Sequence, residues 1–289
     1  MKRAELASRL VTADPAEREA LLRANTALAE VELAYALKDI CLDDWSAAPA
    51  RAAGAAEALK ALASLSNNSE NPEIEAIALW IGGFAAVVAE GQLERAVKLL
   101  EDSAALFASL GKPHTAASTE VIKLYALALL GRYDEAIECG LNAREVFLAH
   151  GDLLAAGKIE HNIGNIHLRR DSYQESERFQ LMARERFMAL NDQKQLAKVD
   201  NNLAIICSSQ HDFRRAEQLY AQALGSAESS GSVLTQAEIE ASMGNLALFQ
   251  GRYDRALDYL ERSRRKYVAL GMSHLAAVAE QEIADAYLE

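Results

Sequence analysis

The sequence predicts an all-α chain, a right-handed α-solenoid of tandem helix-turn-helix units, on three observations. A first series of breakers, Gly91, Gly131, Asp171, His211 and Gly251, advances in steps of 40, and each is followed by a small side chain at Ala96, Ala136, Ser176, Ala216 and Ala256. A second series, Gly111, Gly151, Asn191, Gly231 and Gly271, keeps the same step of 40 and falls halfway between members of the first. The third is composition: 51 % apolar residues with 6 % aromatic, four prolines and abundant Ala, Leu, Glu and Arg, which lead the helix scale. Two interleaved breaker series separated by helix-forming sequence describe one helix pair per period.

Residues 1–13 read as a short amphipathic helix through Leu6, Leu10 and Val11. Asp14-Pro15 supplies an N-cap and a proline at the first helical position, opening a helix expected to run to about Leu42. Trp45 to Pro49 read as a turn, Ala50 to Leu65 as a helix, and Ser66 to Pro72 as a long polar loop. Residues 1–68 are thus expected to be an irregular capping repeat, and 69–289 an array of about five repeats plus a terminal helix. First ("A") helices are expected near 73–89, 114–130, 153–170, 193–209 and 234–250; second ("B") helices near 93–109, 133–149, 173–189, 213–229 and 253–269. The last A helix begins near Ser273, and its stripe Ala279, Ile283 and Tyr287 has no B helix to cover it, so further sequence after Glu289 is expected.

The longest apolar run, Ala76 to Ala89, is framed by Glu75 and Glu90 and is too short for a membrane span. No charged-then-apolar leader opens the chain, and the three cysteines, Cys41, Cys139 and Cys207, are widely spaced, so reduced thiols and a cytoplasmic location are expected. The net charge of −12 resides in residues 1–150 and after residue 270, while 151–270 balance. An acidic first half argues against nucleic acid, where a basic stripe is needed. An acidic ligand is expected on 151–270, a basic one elsewhere.

The small residues at Ala96, Ala136, Ser176, Ala216 and Ala256, the breaker before each, the aromatics Tyr133, Tyr173, Phe213 and Tyr253, and Gly164 and Gly244 in A helices resemble the tetratricopeptide repeat. The forty-residue period is longer than that family's usual one and is similar to the variety found in kinesin light chains, spindle-orientation adaptors and bacterial signalling proteins. Asn162-Ile163-Gly164-Asn165 and Asn245 resemble the asparagine-bearing A helices of that variety, whose inner asparagines bind peptides. The irregular start, Trp45 to Pro49, and Ala155 to Glu160 resemble the repeat region that precedes a caspase-like CHAT protease domain in bacterial proteins.

The resemblance implies that A helices line a concave groove, and register about Gly164 then assigns its inner positions. These are Lys158, His161, Asn162, Asn165 and Arg169 in one repeat, Lys198, Asn201 and Asn202 in the next, and Asn245 and Phe249 in the third. Asparagine is a mediocre helix former, and its carboxamide can pair with the main chain of an extended peptide. The plainer alternative is a hydrogen-bond ladder between repeats. The basic residues of the family's carboxylate clamp are missing, since Glu238 and Ser242 occupy those places. The earlier groove positions, Ile81, Ala85, Val88, Val121, Ile122 and Tyr125, are apolar and expected to be covered by neighbouring helices.

Cys207 and His211 lie four apart, but one is a packing position and the other a breaker, so no metal is expected. No phosphate loop, nucleophile elbow or paired carboxylates appear, which argues against an enzyme and against a cofactor. Arg262, Arg264, Arg265 and Lys266 form a basic cluster expected on a solvated B-helix face, paired with Asp258 and Glu261. The reading is a non-catalytic protein-binding scaffold whose groove takes an extended peptide with acidic side chains. Its alternative is the sensor or autoinhibitory arm of a larger effector, such as a CHAT-type protease.

Overall fold

The computed structural model describes residues 2–45, 48–65, 71–89 and 91–287, and among these it contains fifteen α-helices and no strand. Four helices open the chain: α1 (Arg3–Thr12), α2 (Pro15–Ala24), α3 (Val31–Asp44) and α4 (Pro49–Leu65). The regular pairs follow as α5 (Pro72–Val88) with α6 (Leu93–Ser109), α7 (Pro113–Leu129) with α8 (Tyr133–Ala149), and α9 (Leu153–Arg169) with α10 (Tyr173–Ala189). Then come α11 (Gln193–Ser209) with α12 (Phe213–Ser229), α13 (Val233–Phe249) with α14 (Tyr253–Ala269), and the unpaired α15 (Ser273–Ala286). Each regular helix lies within about one residue of its expected place, the ordinary tolerance at helix ends.

Every member of both breaker series has left-handed backbone, with φ between 53° and 75°. Seven are glycine, and Asp171, Asn191 and His211 are of the types that best tolerate this region. The left-handed residue reverses the chain so that the next amide caps the helix, as when Arg132 N–H donates to the Leu127 carbonyl at 2.9 Å and Asp192 N–H to that of Phe187 at 3.0 Å. All four prolines, Pro15, Pro49, Pro72 and Pro113, open helices, where the missing N–H costs nothing.

Packing explains the small positions. Ala96, Ala136, Ser176, Ala216 and Ala256 are all fully buried where paired helices cross. A Cβ added to Gly244 would lie 2.7 Å from Leu260 Cγ, and one added to Gly164 would lie 2.6 Å from Gln180 Nε2. The chain divides into two compact units, residues 1–151 and 152–289. In the first, Leu6 and Leu10 of α1, Leu33 and Leu37 of α3, and Leu59 and Leu62 of α4 share one core with Ile74 and Ile77 of α5. In the second, α9 to α15 pack as successive hairpins.

Two expectations are corrected. The helix opened by Asp14-Pro15 stops at Ala24 and restarts at Val31, with a 3-10 turn over Thr26–Leu28 between. Asn25 breaks it: its side chain donates to the Leu21 carbonyl at 2.8 Å, and its backbone leaves the helical region at φ −132°, ψ 42°. The terminal stripe is also largely covered, because Ala279 and Ile283 are buried in the packing of α15 on α13 and α14; only Tyr287 is open, at 74 % exposure. The expected turn at 45–49 and loop at 66–72 fall partly outside the described residues.

The sequence reading missed a series of acidic residues at the centre of A helices: Glu120, Glu160, Asp200, Glu240 and Glu280, again 40 apart. Glu160 is fully buried and bound in a fork by Arg186, at 2.7 and 2.9 Å. Asp200 meets Arg184 at 2.6 Å, and burial pushes its carboxyl up against the pull of that guanidinium. Glu240 is fully buried between Arg262 at 2.6 Å and Lys266 at 2.5 Å, while the exposed Glu280 meets Arg264 at 3.2 Å. The expected pairs of the basic cluster are present, Arg262 with Asp258 at 3.8 Å and Arg264 with Glu261 at 3.1 Å, but Arg262 and Lys266 also neutralise a carboxylate inside the fold, and removing one partner from a buried pair costs roughly 3–5 kcal/mol.

Two glycines separate backbone from packing effects, since an added Cβ at either meets nothing within 4 Å. Gly225 lies inside α12, so Gly225→Ala should raise stability by about 0.5–1 kcal/mol. Gly231 has φ +66°, so Gly231→Ala should lower it by about 1–2 kcal/mol. Urea unfolding of the two variants checks the opposite signs.

Candidate functional site

In residues 152–289 the forty-residue register lays four rows of side chains across α9, α11 and α13. Lys158, Lys198 and Glu238 form one row; Asn162, Asn202 and Ser242 the next; Asn165, Ile205 and Asn245 the third; Arg169, Ser209 and Phe249 the last. None of these is fully buried, whereas Ile159, Ile163 and Ile166 on the other side of α9 are.

The structure joins some expected residues into a network. Gln180 of α10 accepts from His161 Nδ1 at 2.9 Å and donates to Asn165 Oδ1 at 3.0 Å. Asn165 in turn donates to His161 Nε2 at 3.3 Å, and Asn202 reaches from α11 to donate to the same Asn165 oxygen. These partners require the proton of neutral His161 on Nδ1, because Gln180 Oε1 can only accept. Burial agrees, pushing this imidazole down to about 4 against the help of the Gln180 bond. Asn165 and Asn202 thus form the inter-repeat bond weighed above as the plainer alternative. Gln180 was not foreseen; its signal is that a long polar residue stands where the register elsewhere gives Leu100, Gly140, Tyr220 and Leu260.

Other expected residues stay open. Lys158 and Arg169 are exposed and unpaired, and Asn162 is half-buried without a hydrogen bond. Asn201 is half-buried, with its carbonyl oxygen enclosed and unpartnered. Burial pushes the Lys198 ammonium down and the Glu238 carboxyl up, and their attraction opposes both shifts. Positive charge is therefore concentrated at the α9 end. Asn245 donates to Glu282 at 3.1 Å.

At the far end, Phe249 is 64 % exposed and leans on His211 and Phe213, with ring centroids 5.6 and 5.8 Å away. It walls a recess of about 510 Å³ together with Tyr173, Ile205, Ser209, Ser242 and Asn245. The recess offers apolar walls with a few hydroxyl and carboxamide groups, the usual character of a ligand pocket. In residues 1–151 the earlier groove positions divide: Ile81 is buried as expected, whereas Val88 and Tyr125 are exposed.

Residues 153–229, covering α9 to α12, match the tetratricopeptide repeat family. That stretch carries tetratricopeptide repeats. No curated protein sequence matches the chain. Solved structures with a similar fold include BtubC from P. vanneervenii, 19 % identical over 84 % of this chain and 91 % of that one, with a TM-score of 0.55. The Rap conjugation gene regulator of plasmid pLS20, solved with the Phr* peptide, is 17 % identical over 86 % of this chain and 70 % of its own, with a TM-score of 0.60. A signal transduction ATPase with a tetratricopeptide repeat sensor from Pyrococcus horikoshii covers 99 % of this chain and 43 % of its own length, at 14 % identity and a TM-score of 0.65. At such identities the likeness concerns the fold. No helix among the described residues is long and apolar enough to cross a membrane.

The depressed His161 pKa makes stability depend on pH. Between an unfolded value of 6.5 and a folded value of about 4, the unfolded chain binds a proton that the folded chain refuses, so this contribution is complete above pH 6.5 and is lost on acidification. Over that interval the wild type should lose roughly 1–3 kcal/mol that His161→Gln does not lose. Denaturant unfolding at half-unit pH steps measures the difference in slope.

Proposed function

We propose that the chain is a non-catalytic scaffold, working in the cytoplasm, and that the faces of α9, α11 and α13 bind an extended peptide. The observation that carries this reading is the recess beside Phe249, which lies on the same rows as the unpaired Asn162 and Arg169. Peptide main chain pairs with open carboxamides, and one ligand side chain enters the recess. Lys158 and Arg169 favour acidic side chains toward α9, while Glu238 disfavours them toward α13. The Rap regulator solved with its peptide supports the reading, as a protein of similar fold that holds a peptide.

A second reading, the sensor arm of a larger effector, is favoured by the archaeal ATPase, in which a tetratricopeptide repeat serves as a sensor. It requires the reading frame to continue into an effector domain, and a frame ending at Glu289 removes it.

Peptides selected from a random display library against the whole chain, then titrated by calorimetry, test the first reading. Phe249→Ala with Asn245→Ala should weaken binding about tenfold or more without changing the melting temperature. Lys158→Glu with Lys198→Glu should weaken acidic peptides and flatten the salt dependence of their binding. Unchanged affinity in both variants overturns the reading.

A further inference from the structure

The acidic series has one member whose surroundings differ. Three register positions supply cations to the later carboxylates: 16 residues before, as Arg184 to Asp200 and Arg264 to Glu280; 22 after, as Arg262 to Glu240; and 26 after, as Arg186 to Glu160 and Lys266 to Glu240. Around Glu120 the same positions hold Ala104, Asn142 and Val146. No B helix sends a cation to this carboxylate. All three of those residues instead line a cavity of about 620 Å³, set between α6 and α8 and floored by α7.

The charge inside that cavity is uneven. Lys123, one turn along α7, meets Glu120 at 3.0 Å and Glu101 at 3.6 Å, and Glu135 is held by Arg132. Glu138 is exposed, faces the cavity and has no partner. The Cys139 thiol donates to Glu120 at 2.7 Å; burial first, and Glu120 next, hold it protonated, so it adds no charge. One ammonium thus answers Glu101 and Glu120, and none answers Glu138. Alanines on all three helices keep the walls short, which leaves width for a long side chain and part of its backbone.

We propose that this cavity is a docking site for an arginine side chain of a partner peptide, which supplies from outside the cation that later repeats supply from their own B helices. Arginine fits better than lysine, because guanidinium makes four of the five acid–cation pairs at these register positions and matches a carboxylate in two-point contact. The surface lies in the acidic part of the chain, on helix faces distinct from the rows of α9 to α13, so it does not depend on the peptide groove.

The test titrates the whole chain by calorimetry with a short, acetylated and amidated peptide carrying two arginines among alanines. The citrulline analogue, the lysine analogue and spermidine are titrated in parallel. Binding should fall roughly tenfold with citrulline, and by a similar factor in Glu101→Gln with Glu138→Gln, whose side chains are exposed and dispensable for folding. Ala104→Arg, which places an internal guanidinium where Arg184 and Arg264 stand in register, should abolish binding and leave the melting temperature equal or higher. If Ala104→Arg does not fold, the double glutamine variant alone decides. No binding of the arginine peptide at millimolar concentration, equal binding of citrulline, or unchanged binding in the glutamine variant overturns the proposal. Tighter binding of spermidine than of the arginine peptide overturns it in favour of a free polyamine.

Discussion

The left-handed residue at every twentieth position is the constraint on which the array depends. It ends each helix and turns the chain through a capped reversal, so that each helix from α5 to α14 has 17 residues. Equal lengths mean that a given register position always has the same neighbours. The small residues at the crossings, the carboxylates in the middle of A helices and the rows of side chains along them all inherit their places from this rule. Glycine is the ordinary solution, but a carboxylate, a carboxamide and an imidazole serve at Asp171, Asn191 and His211, which shows that the position demands a conformation more than a residue type.

The fold was legible for this reason. Breakers, small crossing residues and proline starts are local signals, and each reports a backbone need that a sequence displays directly. Asn25 was overlooked because the same apolar pattern runs on both sides of it, and only its side-chain bond to Leu21 shows that the helix stops. The site was less legible. Register expects Asn162, Asn165 and Asn202 on one face, and the structure joins Asn202 to Asn165, but register could not reveal that Gln180, from another helix, occupies much of Asn165's hydrogen-bonding capacity. That depends on side-chain reach across a packed interface, which spacing along one helix does not contain.

The acidic series illustrates a signal that was present and unread. Its period equals that of the glycines, yet an acidic residue in a helix reads as solvated until burial is known. Arg262 and Lys266 were read only in part for the same reason: a dense basic cluster suggests a wet surface, and these two also face Glu240 inside the fold.

The acid–cation pairs of the series also differ in what they connect. Glu160 with Arg186, and Glu240 with Arg262 and Lys266, join the two helices of a single repeat, whereas Asp200 with Arg184, and Glu280 with Arg264, bridge consecutive repeats. In a linear chain of folding units the first kind raises the intrinsic stability of a unit, and the second raises the coupling that makes neighbours fold together. The boundary between α12 and α13 has no bridge of this series, since Leu224 stands where Arg184 and Arg264 do. That seam is held instead by apolar packing, Tyr220, Ala223 and Ala227 of α12 sharing one core with Ile239 and Leu246 of α13.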